Sequence, residues 1–222
     1  MSINHPYHEA GALPSLVSVF PLAGALLLPR GQLPLNVFEP RYIAMVDDSL
    51  RSNRLIGMIQ PISETEAPQA IPKLAPIGCL GRITQFAESR DGRYVITLSG
   101  IARFRVSKEA RVLTTYRQCE VDYTPFSQDL QPRNGEDEVD REGVLRALRA
   151  FAIATKLEID WDGIDAAPNE ALVNALAMMS PFGLREKQAL LEAPDLRTRA
   201  EVLIAITEFE LAGADQAPSS LQ

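Results

Sequence analysis

The apolar residues of this chain change their period once, and that change limits the folds open to it. Up to about residue 126 they fall in short runs bounded by Gly and Pro, some alternating, some rich in β-branched and aromatic residues and one, at 54–61, continuously apolar, all of strand length. Such runs occupy residues 15–22, 32–38, 54–61, 75–89, 94–106 and 116–126, with Asp91-Gly92 as a hairpin turn between the fourth and fifth. From Val139 the spacing becomes helical, with Val144, Leu148, Phe151 and Thr155 on one face, then Leu172, Leu176 and Met179, then Ala200, Leu203, Ile204 and Leu211. The pattern predicts an α+β chain: a β-rich part over 1–126 that curls or closes, a packed helical part of about four helices over 127–212, and a disordered tail at 213–222. The break is expected near 127–138, which is acidic and holds Pro and Gly.

One helix interrupts the β-rich part. In "LPLNVFEPRYIAMVDDSL" Leu33, Leu35 and Val37 alternate with Pro34, Asn36 and Phe38, and Pro34 implies an edge strand. Pro40 suits a first helical turn, so a helix is predicted near 40–52, with Ile43, Val46 and Leu50 on its inner face. Glu39 then stands at the helix start, where the dipole favours its charge, and Asn53 is placed to end the helix in the left-handed region. Glu39 and Arg41 flank the proline like an acid and a cation at a site, yet a strand-to-helix corner accounts for every residue of the triplet. If the Phe38 ring is buried, its loss would be the most damaging change at this corner.

Charge narrows the functional classes. Residues 1–125 carry 13 Lys and Arg against 11 Asp and Glu, a net of +2; the remainder carries 9 against 18, a net of −9. The acidic second half argues against broad nucleic-acid binding. Cys79 and Cys119 sit apart in strand-like runs and are expected to be buried free thiols of a cytoplasmic protein. The N-terminal residues carry no basic start followed by an apolar run, so no signal peptide is expected. His5 and His8 make no zinc site by themselves, and no cofactor or metal is called for.

The corner also carries a family resemblance. Phe20-Pro21-Leu22, Leu28-Pro29, Leu33-Pro34-Leu35 and Phe38-Glu39-Pro40-Arg41-Tyr42 resemble the N-terminal substrate-recognition (LON) domain of ATP-dependent Lon protease, in the form found in stand-alone bacterial proteins and in cereblon. The run at Ile77–Phe86 and the Gly100, Arg103 and Phe104 of the fifth strand fit the same pattern, as do the closing helices. The resemblance implies a PUA-like pseudo-β-barrel followed by a helical bundle. It implies a non-catalytic module that binds unfolded or extended polypeptide, with Glu39, Arg41, Tyr42, Arg82 and Arg103 as candidate binding residues. Arg82, Arg103 and Arg105 lie on strand-like runs and either pair with Glu39 or Glu88 or line a groove. The alternative is an RNA-binding PUA-like protein, which the mildly basic first half permits.

Lon's catalytic modules are not legible here. "GALLLPRG" at 24–31 lacks the spacing and the Lys-Ser/Thr of a phosphate loop. Of the four lysines, only Lys108 adjoins a serine, and neighbours on a strand point to opposite faces. Purified protein is therefore expected to show neither ATPase nor ATP-dependent peptidase activity. Turnover of ATP or casein that survives repurification would contradict this.

Overall fold

The computed structural model describes residues 6–62, 72–155 and 160–216, with side chains through residue 213. Six strands form one mixed sheet: β1 (Leu16–Pro21), β2 (Gln32–Val37), β3 (Leu55–Pro61), β4 (Leu74–Glu88), β5 (Tyr94–Glu109) and β6 (Gln118–Asp122). The order is β2-β5-β4-β3-β1-β6, with β6 also paired to β5. Only β1 and β3 run parallel. The ladder β1-β3-β4-β5-β6 thus returns to its start, while β2 lies outside that ring on the first half of β5. The sheet is therefore not a clean barrel. β5 manages three neighbours because it is 16 residues long and shifts register near Gly100, pairing β2 before the shift and β6 after it.

Gly100 has a packing reason. The segment Leu28–Gly31 lies directly on it: Arg30 N–H donates to the Gly100 carbonyl (2.8 Å), and Gly100 N–H donates to Gly31 O (2.9 Å). A Cβ at Gly100 would run into the Leu28 carbonyl oxygen. Inside the ring, Phe104 is fully buried among Val17, Val19, Leu80 and Cys119. Both cysteines are buried and free, and burial pushes the Cys119 thiol up to about 11 and Cys79 higher still.

α1 (Pro40–Arg51) starts at the predicted proline, with Glu39 as N-cap residue. Its buried face is Tyr42, Met45, Val46 and Ser49; Ile43 and Leu50 are half-buried at its margins. Arg54, not Asn53, takes the left-handed backbone after it, while the Asn53 side chain accepts from Leu55 N–H (3.0 Å). Phe20 is buried and stacks on Tyr42 at 4.1 Å. Phe38 corrects the expectation of a buried ring. It continues the outward set of Pro34 and Asn36 and is 64% exposed, with the Arg93 guanidinium 5.9 Å from its ring.

Five helices follow: α2 (Arg141–Thr155), α3 (Trp161–Ala166), α4 (Asn169–Met179), α5 (Leu184–Glu192) and α6 (Leu196–Gln216). α6 continues into the stretch predicted to be a tail; residues 217–222 lie outside the described residues. The predicted break is no free linker. Its 3-10 turns Thr124–Leu130 and Glu136–Glu138 bury Phe126, Asp129 and Glu136. One apolar cluster joins Leu26, Leu27 and Leu28 and strand residues such as Ile96 and Leu98 to Val173 of α4 and Leu190 of α5.

The decisive polar link is Arg103 with Asp129. Arg103 Nε and Nη2 donate to Asp129 Oδ2 (2.9 Å) and Oδ1 (2.8 Å), and Arg103 N–H also donates to Oδ2 (2.8 Å). The remaining guanidinium hydrogens reach the carbonyls of Leu191 (3.0 Å), Ala193 and Pro194 (3.3 Å), between α5 and α6. Both side chains are buried. Asp129→Ala should leave a buried guanidinium without its counter-charge and lower stability by about 3–5 kcal/mol. Phe38→Ala, at an exposed ring, should stay within about 0.5 kcal/mol of wild type. Urea melts of the two variants check both values.

Candidate functional site

The residues singled out in the sequence fall into two groups. Glu39 and Arg41 form an ion pair at 2.8 Å with side chains 44% and 51% exposed. The Arg41 guanidinium also lies 4.5 Å from the ring of Tyr42, which is itself buried under Phe20. Arg103 lies away from this corner and takes Asp129 as its carboxylate partner, in place of the expected Glu39 or Glu88. Arg82 is half-buried with its guanidinium 5.1 Å from the Tyr7 ring. Arg103 is held by Asp129.

A concave surface opens elsewhere, between the approach to β2 and helix α4. This groove has a volume of about 400 Å³ and is lined mainly by Pro29, Gly31, Pro168, Ala171, Ala175, Met178 and Met179, with Gln32 of β2 at its margin. α4 builds its wall by ordinary amphipathicity. Leu172, Val173 and Ala177 face the core, which leaves the small Ala171 and Ala175 and the 82%-exposed Met179 outward. The sequence pattern placed Met179 on the inner stripe; the helix turns it out. Gly31 makes room for Met178, because a Cβ there would meet its sulfur. Methionine is unbranched and polarisable and adapts to varied apolar partners. The groove was missed from sequence because its two walls are far apart along the chain; the paired methionines ending an amphipathic helix were the available signal.

The cations of the groove are all paired. Arg30 sits in the left-handed region (φ 64°). Its Nε donates to Glu170 Oε2 at 2.9 Å, its Nη2 to Glu170 Oε1, and its Nη1 to the Asp129 carbonyl. Arg133 is paired with Glu136, whose carboxyl it holds below the usual range. Next to the groove, β2 is the terminal strand of the sheet and pairs only with β5 among the described residues. No helix among them is long and apolar enough to cross a membrane.

The structure matches the Lon N-terminal domain protein from Xanthomonas campestris with a TM-score of 0.60 at 24% identity, covering 86% of this chain and 98% of that one. It matches the N-terminal domain of the Mycobacterium avium complex Lon protease with a TM-score of 0.62 at 18% identity, covering 87% and 98%. These two likenesses establish the fold. Residues 17–208 match the family model of the ATP-dependent protease La (LON) substrate-binding domain, and the chain belongs to that family. Among curated relatives, Lon protease 2 of Sorangium cellulosum is 29% identical over 202 residues, covering 88% of this chain and 25% of the relative. Lon protease 2 of Myxococcus xanthus is 25% identical, covering 87% and 24%. The chain therefore spans about a quarter of the length of these relatives.

The exposed Glu39–Arg41 pair is expected to contribute little to stability. Glu39→Gln should shift stability by no more than about 1 kcal/mol, far less than loss of Asp129. A larger loss in urea melts would mean that the corner depends on this ion pair.

Proposed function

We propose that this chain is a polypeptide-recognition module with no catalysis of its own, which accepts extended apolar segments of client proteins in the groove between β2 and α4. The observation that carries this reading is the juxtaposition of an apolar, methionine-bearing groove with the terminal strand of the sheet. A strand edge offers main-chain hydrogen bonds to a segment of any sequence, and an adaptable apolar groove adds affinity without strict selection. Membership of a substrate-binding family supports the same reading, and protein quality control is the process in which such a module would serve. We read the closed ladder as a PUA-like pseudo-barrel over residues 1–126 and the helices as a bundle packed on it over 127–212. Buried free thiols support work in a reducing, cytoplasmic setting.

Within this reading Glu39, Arg41 and Phe38 form an accessory rim beside β2, while Tyr42, Arg82 and Arg103 serve mainly to hold the scaffold. The RNA-binding alternative gains nothing from the groove. Its arginines already face carboxylates, and phosphate contacts require cations free to pair.

Fluorescence anisotropy with a labelled decapeptide rich in leucine and alanine tests the proposal. Met179→Glu places a charge in the groove at an exposed position, so folding should be unchanged. Peptide binding should weaken at least about tenfold, equivalent to ~1.4 kcal/mol. Equal binding by the variant and wild type would remove the groove from this reading. Tighter binding of a single-stranded RNA oligonucleotide than of the peptide would favour the alternative.

A further inference from the structure

Among the described residues, sulfur is carried by Cys79, Cys119, Met45, Met58, Met178 and Met179. The two cysteines, Met45 and Met58 are buried in the core, each no more than 2% exposed. A thiol reacts with oxidants as its thiolate, and burial holds both thiols above their ordinary pKa, Cys119 at about 11. The sulfur-bearing side chains left in reach of solvent are Met178, which is half-buried, and Met179, which is 82% exposed. Both line the groove between β2 and α4. The accessible sulfur of the described chain is therefore gathered at one place, and that place is the candidate site.

The two methionines are not equivalent. The Met178 sulfur packs on Gly31, in the space a side chain there would take, so that side of it is closed. Met179 is the last residue of α4 and is turned away from the inner face of Leu172, Val173 and Ala177. A thioether is apolar and polarisable, which suits it to a lining that receives apolar side chains. Its sulfoxide is polar and chiral and disrupts contact surfaces built on methionine. Water satisfies the sulfoxide oxygen while the groove is empty. An apolar segment laid over it displaces that water and offers no side-chain donor in return. The cations of the lining do not fill the gap, because Arg30 is held by Glu170 and Arg133 by Glu136.

We propose that Met179, followed by Met178, is an oxidation site through which peroxides close the groove to apolar segments. This rests on the groove being a polypeptide site. In the step, the thioether sulfur attacks one oxygen of hydrogen peroxide. The S–O bond forms as the O–O bond breaks, and the proton on the transferred oxygen passes to the departing hydroxide, which leaves as water. The sulfur loses two electrons and the peroxide gains them. The reverse step takes its two electrons from a pair of thiols, which become a disulfide while the sulfoxide oxygen leaves as water. Because Met45, Met58 and both cysteines are sealed in the core, the change is confined to the groove and the fold is kept.

The test treats the full chain with hydrogen peroxide until the peptide bearing Met178 and Met179 has gained one oxygen, then removes the peroxide with catalase. Fragment mass spectra locate the oxygen, and anisotropy with the leucine- and alanine-rich decapeptide, which contains no sulfur, reads binding. Among the described residues the first oxygen should fall on Met179, with Met45 and Met58 unmodified. Peptide affinity should drop at least about tenfold while urea melts stay unchanged. The two methionine sulfoxide reductases, one for each sulfoxide epimer, should restore it with dithiothreitol. Met179→Leu, given the same exposure, should keep whatever affinity it starts with. A first oxygen on Met178 or on a core methionine would overturn the proposal, as would full binding by chain oxidised at Met179. An equal loss of binding in Met179→Leu would place the sensitive group elsewhere and overturn it too. A lowered urea midpoint after oxidation would make the loss one of folding, and no switch would remain. If untreated chain binds no peptide, the polypeptide reading itself fails and this proposal with it.

Discussion

The structure depends on a guanidinium with all of its hydrogens in use. Arg103 projects from β5 and directs its five N–H donors to Asp129 and to three carbonyls at the α5–α6 junction. It also lies 4.5 Å from the Phe126 ring. One side chain therefore holds three parts of the chain: the ring of strands, the turn that leaves it, and the closing helices. A buried charge tolerates no loosening of this arrangement, because each lost acceptor would leave an N–H dry and unpaired.

That rigidity extends to the Leu28–Gly31 segment, pressed on Gly100 and anchored through Arg30 to Glu170 and the Asp129 carbonyl. Asn174 of α4 donates to the Pro29 carbonyl (3.1 Å), which sets the distance between the two walls of the groove. Lys187 of α5 donates to Gly24 O (2.8 Å), and buried Gln60 of β3 donates to Gln188 (3.0 Å). The groove is thus open because polar contacts beneath it are closed. Arg103 and Arg199 make the contrast plain. They belong to one buried cluster, yet the first is fully matched and the second leaves Nη2 without an acceptor.

Much of the secondary structure was legible because it is local. Alternation, β-branched composition and one short apolar run located the six described strands, and Pro40 marked the start of α1. Where local signals competed, the outcome followed tertiary contact. Ile43 and Leu50 yielded the inner face of α1 to Tyr42 and Met45, since Phe20 from β1 stacks on Tyr42. Phe38 shows the opposite case: its alternation with Pro34 and Asn36 already placed it outside, and aromatic character misled. The partner of Arg103 was out of reach because Asp129 lies beyond β6, in what reads as a polar linker.

Composition and period sufficed for an α+β chain, and the corner motif carried the resemblance to the LON family, for these are properties of neighbouring residues and of the faces they form. The pairing of charges, the closure of β6 onto β5 and the groove required the folded chain. Each brings together residues remote in sequence, and burial decides their meaning. The same arginine is a surface cation when exposed and a structural tie when its hydrogens are all accepted.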